Sequence, residues 1–233
     1  GGKGLAFGLK LLADQTIEQR GIGQPAAIIG FEQVAHHTAA RRDIGMGVLF
    51  GDLRGFTTRA ERLDPAEVIA LLNDYFGNLE PTISAAGGYI DSYAGDEIMA
   101  LFEGPADDAV RAGIAMNRAL GDFNDLQRRT GRPELRMGIG VNTGPLLLGT
   151  VGGTERMQCT VIGDTVNAAS RIEQLTKTYG TQFLIGEGTY QRLADPSAYS
   201  LRRVDSVTVK GKTKPFDIYE VLDAEPADRQ AAK

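Results

Sequence analysis

Apolar positions along the chain follow two rhythms, one of period two and one near 3.6. Between Gly45 and Phe50, Met46, Val48 and Phe50 alternate with Gly45, Gly47 and Leu49, the pattern of a buried strand. Asp52 stands where that strand runs out into a loop. Asp64-Pro65-Ala66-Glu67 then supplies an N-cap, an N1 proline and an N3 glutamate. A helix is predicted after it, with Val68, Leu72, Tyr75, Phe76 and Leu79 on one face, Pro81 kinking its end and Gly87-Gly88 stopping it. In "YIDSYAGDEIMALF" two strand-like runs flank Ala94-Gly95-Asp96, which reads as a hairpin. A second helix is predicted over residues 106–128, with Ala109, Ala112, Met116, Leu120 and Phe123 on one face. Leu135, Met137, Ile139 and Val141 alternate as another strand, and Asn142-Thr143-Gly144-Pro145 is expected to turn it into "LLLGTVG". A strand from Gln158 to Ile162, a turn at Gly163-Asp164, a helix over 164–178 and several strands up to "PFDIYEVL" complete the pattern.

The order strand, helix, strand, strand, helix, strand predicts an α+β fold with a ferredoxin-like βαββαβ core, extended by C-terminal strands and helices. With 233 residues, 42% hydrophobic, the chain is long enough for one sizeable core. Residues 1–43 are weakly patterned and read as a connector from an upstream sensor or regulatory module, or as a disordered tail. The opening "GGKGLAFGLKLLADQ" reads as a cut from a longer chain. Residues 44–222 form the predicted domain, and 223–233 a polar, loose tail. A net charge of −5 argues against a nucleic-acid surface. Cys159 is the only cysteine, so no intrachain disulfide forms and a reducing, cytoplasmic setting fits. His36 and His37 stand without a zinc-type cluster. No apolar run nears the roughly 20 residues of a membrane span, so no membrane contact by this segment is expected.

Chemistry concentrates at a few positions. In the predicted topology Asp52 and the hairpin's Asp96 belong to adjacent strands, and two carboxylates that close repel unless a cation lies between them. A hard divalent ion with oxygen ligands suits them, and Mg²⁺ usually brings phosphates. Either aspartate alone is equally a turn former. After Asp52, Arg54-Gly55-Phe56-Thr57 leads into a helix, and a glycine there lets backbone N–H groups approach a polyphosphate, although Thr57 and Thr58 also serve as caps. Asn167 and Arg171 are four apart on one helical face, suited to a phosphate that gathers charge. Alternatively, Arg171 pairs with Glu173 or Asp164 on a solvated face. Lys210-Gly211-Lys212 puts two cations at a strand turn.

Taken together, "VLFGDLRGFT", "GGYIDSYAGDEIMALF", "GIGVNTGPLLLGTVG", "TVIGDTVNAASRIE" and "VKGKTKPFDIYEV" resemble the class III nucleotidyl cyclase catalytic domain, bacterial adenylyl type, over about residues 44–222 in unbroken order. The resemblance implies the class III cyclase fold and a head-to-tail homodimer with two active sites at its interface. It implies two divalent metal ions, Mg²⁺ or Mn²⁺, at Asp52, Leu53 and Asp96 of one protomer. Asn167 and Arg171 of the other protomer would stabilise the transition state. Phosphates would be bound at Gly55, Phe56, Thr57 and Lys210. The implied reaction is attack of the ribose 3′-hydroxyl on the α-phosphate of ATP, giving 3′,5′-cyclic AMP and pyrophosphate.

The base-selecting positions are Ser92, where such enzymes commonly carry Lys, and Thr160. A serine is short and uncharged, so losing a charge-assisted hydrogen bond would weaken base discrimination by roughly 1.5–3 kcal/mol. ATP is the preferred substrate on this reading, with GTP or a pyrimidine triphosphate open. Other readings are a silent nucleotide-binding regulatory module, and an enzyme like the diguanylate cyclases, whose hairpin shares Gly95-Asp96-Glu97 but which lacks a place for the Asn167/Arg171 helix.

Overall fold

The computed structural model of the protein describes residues 40–152, 157–208 and 215–224. Strand β1 (Ala40–Leu53) is followed by a short helix α1 (Phe56–Ala60) and the long helix α2 (Pro65–Ala85). The expected cap is present: the Asp64 backbone N–H donates to Glu67 Oε2 at 3.1 Å. Pro81 lies inside α2, which continues to Ala85, and the Thr82 hydroxyl donates to the Leu79 carbonyl at 2.7 Å. Strands β2 (Gly88–Ala94) and β3 (Glu97–Phe102) form the hairpin, and α3 (Ala106–Arg129) follows. Then come β4 (Met137–Gly152), β5 (Met157–Ile162), α4 (Asp164–Tyr179), β6 (Phe183–Gly186), α5 (Glu187–Tyr190), β7 (Leu201–Val207) and β8 (Phe216–Val221).

The sheet has eight strands, in the order β2-β3-β1-β4-β6-β8-β7, with β5 pairing to β4 off this path. The first four strands give the ferredoxin-like order, and β6, β8 and β7 extend it as expected. The described residues fall into two units, one of 41–147 with 161–224 and one that includes 148–152 and 157–160. The predicted connector falls, up to residue 39, outside the described residues, as do Lys210 and the tail from residue 225.

Within the larger unit the sheet buries both faces. Odd positions of β4 and β6 (Met137, Ile139, Val141, Phe183 and Ile185) join the main core with α2 and α3 residues such as Tyr75, Leu79, Ile83, Met116 and Leu120. Leu184 on the other face packs with Ile172 of α4 and Ile218 of β8. Gly138 and Gly140 also lie on the α4 face. A Cβ on Gly140 would come within 2.1 Å of the Glu173 backbone nitrogen, so α4 rests directly on the strand there. The alternation Met137-Gly138-Ile139-Gly140-Val141 thus builds a core on one side and a groove for a helix on the other.

One expectation fails. Asn142-Thr143-Gly144-Pro145 does not turn; β4 runs straight through it as one strand of 16 residues. Tertiary contacts hold the segment extended. The Thr165 hydroxyl of α4 donates to the Pro145 carbonyl at 2.6 Å, and the Thr143 and Thr189 hydroxyls hydrogen-bond at 2.9 Å. Turn propensity is local and weak, and these buried partners outweigh it.

Candidate functional site

Asp52 ends β1, and Gly51 pairs with Ile98 of β3 across the antiparallel ladder. Continuing that register puts Asp52 opposite Glu97, with Asp96 next in the hairpin turn. Gly95 makes the turn with φ of 66°, a left-handed conformation that favours glycine. The predicted pair is therefore brought together at neighbouring strand ends. Burial first, and then Asp96, push the Asp52 carboxyl up to about 6. Glu97 is raised too, first by burial and then by Asp96.

The donors at this point are oxygens. Among the described residues no group of three or more His, Cys, Asp or Glu side chains is arranged to hold a metal. A pair of carboxylates is what a hard divalent ion uses when substrate phosphates and water complete its shell. The negative charge of Asp96 and Glu97 that helps push the Asp52 carboxyl up is the same field that would favour such an ion. The residues therefore fit the expected metal. Leu53 is buried beside Asp52, and its backbone carbonyl is the part available as an oxygen donor.

Gly55 follows in a left-handed conformation, φ 68°, and starts α1. A Cβ there would meet nothing within 4 Å, so glycine is required by the backbone bend and not by space. Phe56 turns inward and is buried, while Thr57 is exposed. The backbone N–H groups of a first helical turn have no partner inside the helix and suit an anion.

On α4 the buried positions are Thr165, Ala168, Ala169, Ile172, Glu173 and Thr176. Asn167 and Arg171 share the opposite, exposed strip, as their spacing predicts. They are not brought to the carboxylates of their own chain. Glu173 is taken by Arg54, and Arg171 Nη1 donates to Gln174 Oε1 at 3.0 Å.

Ser92 is exposed on β2, immediately after a register shift between Ile90 and Ser92. That bulge brings the Asp91 and Ser92 side chains into a hydrogen bond, while burial raises the Asp91 carboxyl overall. Thr160 lies on β5 and is half-buried.

Two residues in this region have partners that the sequence reading does not give, and a third, Tyr75, is in the core as its helical spacing predicts. Glu173, taken as a possible Arg171 partner, faces the sheet and sits 3.5 Å from Arg54 Nη1. Burial pushes its carboxyl up to about 7, Arg54 opposes this, and Asp52, Glu97 and Asp96 add to it. Arg54, read only as part of the loop, is that partner. Tyr75, read as core, is buried with its hydroxyl donating to Met137 Sδ at 3.1 Å. Its phenol is held far above the usual range by burial and then by Asp52, Asp96 and Glu173. Only the helical spacing of Glu173 from the buried face of α4 signals such an arrangement in sequence.

A family model described as adenylate and guanylate cyclase catalytic domain matches residues 39–222. An adenylate cyclase of Anabaena cylindrica is 46% identical over 198 residues, covering 82% of this chain and 39% of its own length. Adenylate cyclase 1 of Rhizobium meliloti is 37% identical over 180 residues, covering 75% of this chain and 27% of its own. Among solved structures, the adenylyl cyclase CyaB from P. aeruginosa aligns with a TM-score of 0.69 at 31% identity, covering 79% of this chain and 95% of that one. The guanylyl cyclase Cya2 aligns at 0.67 with 36% identity, covering 79% and 93%. The chain spans well under half the length of these two curated relatives. No helix among the described residues is long and apolar enough to cross a membrane.

Proposed function

Because this chain belongs to the adenylate and guanylate cyclase catalytic domain family, we propose that it converts ATP to 3′,5′-cyclic AMP and pyrophosphate. The observation that carries the proposal is the register that sets Asp52 beside Asp96 at the end of the β1–β3 ladder. The family uses divalent metals generally. On our reading two such ions, Mg²⁺ or Mn²⁺, bind at Asp52, Asp96 and the Leu53 carbonyl. When bound, they would supply Lewis-acid polarisation of the phosphate and a lowered pKa for the 3′-hydroxyl.

The chain's own residues do the rest. The backbone around Gly55, Phe56 and Thr57 receives phosphate oxygens. Lys210 holds the terminal phosphates. The 3′-hydroxyl gives up its proton to water as its oxygen bonds to the α-phosphorus, the bond from that phosphorus to the oxygen bridging to the β-phosphorus breaks, and pyrophosphate leaves. Asn167 and Arg171 stabilise the charge that builds on the α-phosphate, by hydrogen bonds aimed where it develops. Their exposure on the outer strip of α4 favours delivery to a second copy of the chain, in a homodimer with sites at its interface. The greater length of the relatives favours an upstream regulatory region in the whole protein, and the single cysteine, Cys159, fits a cytoplasmic setting for this domain.

Ser92 supports a second reading of the base. With its hydroxyl donating to Asp91, it offers lone pairs to a base N–H but no positive charge, so discrimination between ATP and GTP is relaxed. The test incubates the protein with ATP, GTP, CTP and UTP separately, with Mn²⁺ and then Mg²⁺, and identifies products by mass spectrometry. Cyclic AMP in excess is expected. Cyclic GMP or a cyclic pyrimidine nucleotide in excess would overturn the substrate, and ATP binding with no product would replace the enzyme by a silent regulatory module.

A further inference from the structure

The ion pair between Arg54 and Glu173 is a poor stabiliser. Its atoms are 3.5 Å apart, and the Glu173 side chain is 4% exposed. Among the described residues, Arg54 Nη2 and Glu173 Oε1 are buried side-chain atoms without a hydrogen-bond partner. A buried, incompletely bonded ion pair is commonly matched or bettered by apolar residues of the same volume. Stability does not account for it.

Its position does. Arg54 lies two residues after Asp52, and Glu173 two residues after Arg171. The Arg54 backbone is also fixed, its N–H donating to the Arg136 carbonyl at 2.7 Å. The guanidinium crosses β4 in a lane cleared at Gly138, where a Cβ would stand 1.9 Å from Nη2. At the far end Glu173 projects from the part of α4 that rests on Gly140. The pair thus ties the end of β1, which carries Asp52, to the helix that carries the Asn167/Arg171 strip, across one strand.

We propose that Arg54 and Glu173 are positioning residues, a strut that sets the carboxylate loop against α4 and so couples the two active sites of a dimer. The coupling rests on the reading above, in which Asp52 of a chain works at one site and Asn167 of the same chain at the other.

Two measurements on the full chain test it, with Arg54→Lys and Glu173→Gln, each first checked for an unchanged thermal midpoint. The first is Mn²⁺ binding, followed by the electron paramagnetic resonance of free Mn²⁺, which needs no turnover. A strut predicts that both variants weaken binding by roughly tenfold. Arg54→Lys keeps the charge, so an affinity unchanged by it would reduce the pair to a local charge effect and overturn the strut.

The second measurement uses heterodimers of an Asp52→Ala chain with an Asn167→Ala chain, co-expressed with different tags. Their one working site takes its carboxylates from the latter and its α4 from the former. Adding Arg54→Lys to the Asp52→Ala chain, whose own carboxylate site is already lost, should lower kcat roughly tenfold with KM changed less than about threefold. Unchanged kcat would overturn the coupling. A protein that makes no cyclic nucleotide even unmodified would instead overturn the cyclase reading, and the Mn²⁺ titration judges the strut independently of it.

Discussion

Asp52, Asp96, Glu97 and Glu173 crowd negative charge near one end of the β1–β3 ladder, with Arg54 as the counter-charge. The consequence without metal is a pH-dependent stability whose sign follows from linkage. The folded state raises Asp52 from its ordinary 3.8 to about 6 and Glu173 from 4.5 to about 7. It therefore holds protons that the unfolded chain releases, and stability falls as pH rises through that range. Guanidinium unfolding in EDTA should give a lower midpoint at pH 7.5 than at pH 5.5, and added Mn²⁺ should narrow the gap. A midpoint that rises over this interval would contradict the crowding. Asp52→Asn removes one charge at nearly constant shape. It should raise metal-free stability at pH 7 by about 1 kcal/mol, after discounting for solvent screening of a half-exposed side chain. The same change should abolish cyclic nucleotide formation, so a stable but inactive variant is the expected outcome of paired unfolding and activity assays.

Among the elements, β4 decides where the functional helix sits. Its odd residues fill the core, and its even residues at 138 and 140 are glycines that let α4 lie flat. Gly140→Ala would drive a methyl into the α4 backbone, an overpacking cost of roughly 3 kcal/mol. A thermal midpoint within a degree of the parent would show that α4 can retreat freely. Gly55→Ala meets no atom but keeps an unfavourable φ, so it should cost only about 1 kcal/mol. The contrast between the two substitutions separates close approach from backbone strain. The strands, helices and their order were legible in the chain because periodicity acts over neighbouring residues. The straight course of β4 through Asn142-Pro145 was not, because it depends on Thr165 and Thr189 arriving from elsewhere.

At the scale of the whole molecule, one chain displays its metal-type carboxylates and its Asn167/Arg171 strip on different sides of α4. Under the proposed function neither half suffices alone, so activity depends on association. Specific activity should fall as the protein is diluted through the dissociation constant of the dimer, and light scattering should report the same midpoint. Constant specific activity over about a thousandfold dilution, with a monomeric mass at the lower end, would argue for sites made within one chain.

The order of strands and helices, the meeting of Asp52 with Asp96, and the shared face of Asn167 and Arg171 all followed from the sequence. Each depends on short-range periodicity or on the adjacency that a βαββαβ topology imposes. The tertiary structure alone decided that Glu173 pairs with Arg54 and not with Arg171, that the buried Tyr75 hydroxyl donates to Met137 Sδ, and that Asn142-Pro145 stays extended. Those outcomes depend on which distant surfaces close against each other. A buried charge or hydroxyl takes whatever partner the packed helix and strand bring within reach, and no local pattern encodes that choice.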